Sequence, residues 1–402
     1  MRRRTRLPWP LRPLLATGTA VVTACGAFSG TADDTPPLPS LDAGPESSGF
    51  VDGNEGSDAT MGDASGMDAA VATAPLCPAP APPTCTLATC AQRPLYVADA
   101  PSFPFDIATD SAYVYWLEQR DADPSAAYNG NGKARVLRVD RAGSTSSVRA
   151  EVLATAQPSA TAITLVPPHA YWATWNGPTA TSTLHRVVAS CAAGACQEQT
   201  VGTVKERVWK LVGLGTSALL AATTDGRIVK FAIEAGGSVG LGVPVMTSAK
   251  FPGLAVTDTH IYASGLLTKR LSRAELGNLQ VVPAWLTFGF DGGDLGLTSL
   301  ATNCTDLFGF HQSGELESVH LADAGLSHLL SLNRAVYGVA MDAKYLYAAS
   351  LNGGGVVAID PKTKGIGELA TGSFWSVAVD DAGVYWGDHP NEGGRTITML
   401  VK

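Results

Sequence analysis

The chain has little charge and few aromatic rings. Of its 402 residues, 16% are charged and 7% aromatic, whereas 43 are Gly and 25 Pro. That turn-rich composition argues against a helical bundle and for many short strands. Basic residues do not prevail: the formal net charge is −8, so no nucleic-acid partner is expected. No HExxH, P-loop or CxxC spelling occurs, and the histidines at 169, 185, 260, 311, 320, 328 and 389 are scattered. Those gaps remove several frequent signatures of metal and nucleotide sites, and neither a metal nor a cofactor is expected. The apolar stretch Leu14–Ala24 is too short to span a membrane as a helix.

What the start does contain is an address. Five arginines precede that apolar stretch, as in the n- and h-regions of a signal peptide, over residues 1–24. Val22-Thr23-Ala24-Cys25 follows and resembles a bacterial lipobox. The resemblance implies cleavage before Cys25, acylation of its thiol and anchoring by acyl chains. Gly26, rather than Asp, follows the cysteine, which by the sorting rule of such lipoproteins points to the outer membrane. Residues 26–92 carry nine acids and no Lys or Arg. Such a segment buries too little apolar surface to offset its chain entropy, so 25–92 is expected to be an acidic, Pro-rich, disordered tether. A monomer anchored to the membrane through Cys25 is the expected state.

Six further cysteines, an even number, suit disulfides in an exported protein. Cys191 and Cys196, four small residues apart, are expected to close a hairpin tip. Cys77, Cys85, Cys90 and Cys304 allow three pairings, among which the sequence does not choose.

The remainder is a repeat. Segments starting at Ile107, Ile163, Val212, Leu254, Leu300, Val339 and Val377 each begin with a short apolar run. At the ninth position they carry Tyr115, Tyr171, Leu220, Tyr262, Phe308, Tyr347 and Tyr385. Their starts are separated by the period expected of four-stranded propeller blades. The second residue is small in every copy, as crowding near a central axis demands. Apolar residues do not alternate with polar ones, because both faces of a blade must be dry. The prediction is an all-β, seven-bladed propeller over residues 93–402. The last copy has only three strands, so residues 94–99 are expected to supply its fourth and close the ring, removing exposed edges.

The run Val377-Ala-Val-Asp-Asp-Ala-Gly-Val-Tyr-Trp-Gly-Asp388 resembles the YWTD repeat of lipoprotein-receptor ectodomains and the NHL-type bacterial propellers, and Ile107–Glu118 is the next best match. The resemblance implies the fold and hardly constrains function, since propellers host both binding modules and enzymes.

Propellers of the lactonase type hold a metal with acidic and amide residues at inner-strand starts. Here the three residues before each inner strand contain one acid, Asp106. Asp110, Asp342 and Asp380, at inner-strand ends, are expected to bond the amides of the following turns. Large aromatics crowd the inner-strand starts: Phe105, Trp209, Phe251, Tyr337, Phe374 and Trp375. Polar loops on the same rim add Trp175, Asn176, Asn352, Asp388 and His389, and the loop 121–131 could bind calcium only outside the EF-hand pattern. An aromatic floor with polar walls suits a non-catalytic module for protein or glycan. The alternatives are a hydrolase or lyase at the channel mouth, which needs converging carboxylates or imidazoles, and an envelope scaffold.

Overall fold

The computed structural model describes residues 79–99, 101–120, 133–142, 149–192, 194–248, 250–265, 268–288, 296–311, 313–351, 353–388 and 395–402. Cys25, Cys77, the loop 121–131, Asn352 and His389 lie outside them, as do the signal segment and most of the expected tether. The described strands form seven four-stranded antiparallel sheets, a seven-bladed β-propeller, with no helix among the described residues. The inner strands of blades one to seven are Phe103–Thr109, Ala160–Val166, Val208–Leu214, Leu254–Val256, Leu297–Thr302, Val336–Met341 and Phe374–Val379.

Seven hydrophobic clusters, one per blade interface, hold the ring together, and the repeat explains them. The second strand of a blade points the aromatic of position nine at one neighbour and the next residue at the other, because strand side chains alternate. Tyr385 of blade seven meets Trp116 of blade one. Tyr115 of blade one meets Trp172 of blade two. Tyr347 of blade six meets Trp386 of blade seven. Where the incoming partner is small, as with Tyr171 against Ala221 or Phe308 against Ala348, other side chains fill the space. Both faces are dry, which is why these strands lack a polar alternation.

The expected Asp role is met in three blades. Asp110, Asp342 and Asp380 each accept two amide N–H bonds from the following turn. Each also accepts the hydroxyl of its own blade's aromatic, Tyr115, Tyr347 or Tyr385.

Gln92–Val97 occupies the outer position of the seventh sheet, paired with Thr396–Val401 from Gln92↔Leu400 to Val97↔Thr396. The tether was expected to run through residue 92, and its far end departs from that reading. Residues 79–91 pack on blades six and seven instead. The Ala343 amide donates to Pro80 O at 2.8 Å, the Ala81 amide to Asp381 Oδ1 at 2.9 Å, and Lys402 Nζ to Ala81 O at 2.6 Å. Leu87 and the disulfide Cys85–Cys90 join the blade-six and blade-seven core. Composition hid this, because a few well-placed apolar and cystine contacts suffice to dock a Pro-rich strap. Cys191–Cys196 closes its loop as expected. Cys304 is also disulfide-bonded.

Candidate functional site

The inner strands of blades one, two, three, six and seven line a central cavity of about 490 Å³. Each has a β-bulge near its start. In blade three the register passes from Val208↔Thr223 to Lys210↔Ala222, leaving Trp209 extra. In blades six and seven Tyr337 and Trp375 are the extra residues. Thr161 has the same place in blade two, and Phe105 and Asp106 lie within the wider irregularity of blade one. A bulge re-aims a side chain out of the alternation. Here all of these side chains line the channel.

The aromatic residues meet one another. Trp375 stacks on Phe105 and on Tyr337, both with centroids 5.2 Å apart, at 27° and 23°. Trp209 stands edge-on to Trp375 at 6.3 Å and to Phe251 at 5.3 Å. Rings from blades one, three, six and seven thus converge, with Phe251, just before the fourth inner strand, at their edge. Trp209, Phe251, Tyr337 and Trp375 are brought together as one cluster.

Other candidates go elsewhere. Phe374 is paired, opposite Asp388, and turns into the core between blades six and seven, so it is not a rim residue. Trp175 belongs to the strand His169–Asn176 rather than to a loop, and does not line the channel. Asp388 accepts the Thr396 amide at 3.2 Å within its own blade, and burial raises its carboxyl above the ordinary range. Sequence reasoning missed Lys210, because nothing in a lone lysine beside a tryptophan reports that a bulge sends its neighbour into a channel.

Asp106 is the acidic residue of the channel lining. Its Oδ1 accepts the Ile107 amide at 3.0 Å and its Oδ2 the Ile163 amide of blade two at 2.9 Å. Burial pushes its carboxyl up to about 6, against the lowering effect of those amides and of Lys210. Among the described residues no cluster of three or more His, Cys, Asp or Glu could hold a metal ion. Gly236-Gly237-Ser238-Val239-Gly240 has the spelling of a nucleophile elbow, yet Ser238 merely follows a turn and its hydroxyl donates to Glu234 at 3.1 Å. Among the described residues no histidine is hydrogen-bonded to that hydroxyl, as the catalytic elbow requires.

No known family model and no curated protein matches the chain. Among solved structures, the chain is similar to the WD40 β-propeller domain of Doa1, at 12% identity and a TM-score of 0.55, over 76% of this chain and 96% of that one. BamB from Moraxella catarrhalis is similar at 14% identity and a TM-score of 0.47, over 74% and 85%. At such identity the likeness is one of fold, and the chain is a seven-bladed β-propeller.

Proposed function

We propose that this protein is a lipid-anchored, extracytoplasmic propeller of YWTD/NHL-like type that binds protein or glycan at the aromatic mouth of its channel, without catalysis. The observation that carries the reading is the convergence of Phe105, Trp209, Tyr337 and Trp375 from four blades on one rim. Aromatic faces give sugars and apolar side chains a large, rigid contact area. The lipobox-like Val22–Cys25 supports anchoring through acylated Cys25, and Gly26 supports the outer membrane. A hydrolytic site needs a second carboxylate or an imidazole beside Asp106. Neither lines the described channel.

The test is capture on glycan arrays and by outer-membrane protein preparations, with Trp209→Ala beside wild type. Loss of a central aromatic anchor weakens capture by more than about 1 kcal/mol, roughly five-fold, with the variant still folded. Unaltered capture by a folded Trp209→Ala protein would remove the rim from the site. Cys25→Ser tests the anchor separately: the processed variant is expected in the soluble fraction, and its full retention in membranes would refute lipid anchoring.

A further inference from the structure

The channel lining also carries an amine. Lys210 follows the bulged Trp209 and lines the same cavity as Asp106, Thr161, Ser376 and Trp375. Among the described residues, no group stands within hydrogen-bond or ion-pair distance of its ammonium. Burial lowers the Lys210 amine from its ordinary value, with Asp106 opposing the shift by its charge. Asp106 is fixed by amides of two blades and, at about 6, can both give and take a proton near neutrality. An amine and a fixed acid–base group lining one partly apolar cavity are parts from which covalent amine sites are built.

We propose that Lys210 is the nucleophile of a small-carbonyl site inside the channel, taking aldehydes or ketones by reversible imine formation. The lone pair of neutral Nζ attacks the carbonyl carbon, the C–O π bond opens onto oxygen, and a proton passes from nitrogen to that oxygen to give a carbinolamine. Protonated Asp106 then donates to the hydroxyl, which leaves as water while the C=N bond forms. The iminium nitrogen returns its proton to Asp106. One water is released per imine, and no oxidant or reductant takes part. The site rests on Lys210 and Asp106, and stands or falls independently of capture at the rim.

Reductive trapping tests it. The full chain is treated with benzaldehyde and sodium cyanoborohydride at pH 7, and benzylation at each lysine is followed by peptide mapping over time. Lys210 is expected to react roughly ten-fold or more faster than the exposed Lys362 and Lys364. Asp106→Asn should slow labelling of Lys210 and leave the exposed lysines unchanged. Labelling of wild-type Lys210 no faster than Lys362 and Lys364, or absent, would overturn the proposal whatever the variant does.

Discussion

Lys402 Nζ lies 3.0 Å from Asp342 Oδ2, an ion pair joining blade seven to blade six whose side chains are 3% and 0% exposed. Arg141 of blade one reaches Asp380 of blade seven at 2.8 Å in the equivalent position, but that pair is more open, at 19% and 17%. Removing one partner of a buried pair leaves an uncompensated charge and costs about 3–5 kcal/mol, whereas a more solvated pair contributes about 1 kcal/mol or less. Lys402→Met is therefore expected to lower stability in urea several-fold more than Arg141→Met. Equal, small losses would show that Asp342 is satisfied by its turn amides and the Tyr347 hydroxyl alone.

Asp106 gives stability a pH dependence. Its folded-state value of about 6 lies above the ordinary 3.8. The folded state therefore holds the proton more tightly, and the carboxyl's contribution is best when protonated. It is lost as pH rises through about 6. A shift of about two units corresponds to about 3 kcal/mol between pH 4 and pH 7. Urea melts of wild type and Asp106→Asn at pH 4.5, 6 and 7.5 should differ by an amount that changes in that sense. Parallel profiles would contradict a raised carboxyl in the channel.

Crowding at the axis predicts a second contrast. A Cβ on Gly338 would stand 2.8 Å from Ser376 Cα and 2.9 Å from Trp375 O, whereas one on Gly277 would meet nothing within 4 Å. Backbone atoms cannot swing aside as a side-chain tip can. Gly338→Ala should cost about 1–3 kcal/mol, and Gly277→Ala should stay within about 0.5 kcal/mol. Indistinguishable melting temperatures would mean that the inner strands separate easily.

Truncation tests ring closure by the N-terminal strand. Deleting 26–76 is expected to leave thermal stability nearly unchanged, because that acidic segment has little apolar surface to bury. Deleting through residue 97 removes Gln92–Val97 with its pairing to Thr396–Val401 and the burial of Leu95. That loss should amount to several kcal/mol, at about 0.2–1 kcal/mol per cross-strand pair plus lost burial. Equal melting temperatures for the two truncations would exclude this closure.

The repeat was legible because one physical demand recurs seven times. Each blade needs an aromatic or large apolar residue for one neighbour and a partner for the other, and Tyr115–Trp116, Tyr171–Trp172 and Tyr385–Trp386 write both in adjacent letters. The small residues near the axis carried the inner strands in the same way. The aromatic rim was legible as composition and not as geometry. Whether Phe374 or Trp375 faces the channel depends on a one-residue bulge, and no turn residue or change of period marks it. Lys210 was hidden for the same reason. The strap at 79–91 was hidden because its contacts, hydrogen bonds such as Pro80 with Ala343 and the packing of Leu87 and Cys85–Cys90, are made with distant residues, and composition does not record pairing over that separation.

That strap sets how the molecule carries load. Tension entering the chain at residue 79 does not fall first on the outer strand Gln92–Val97, which could otherwise be peeled away one hydrogen bond at a time. It meets the latches at Ala343, Asp381 and Lys402, and then the Cys85–Cys90 loop wedged beside blades six and seven. Those latches lie on two blades, so freeing the strap means breaking contacts with both.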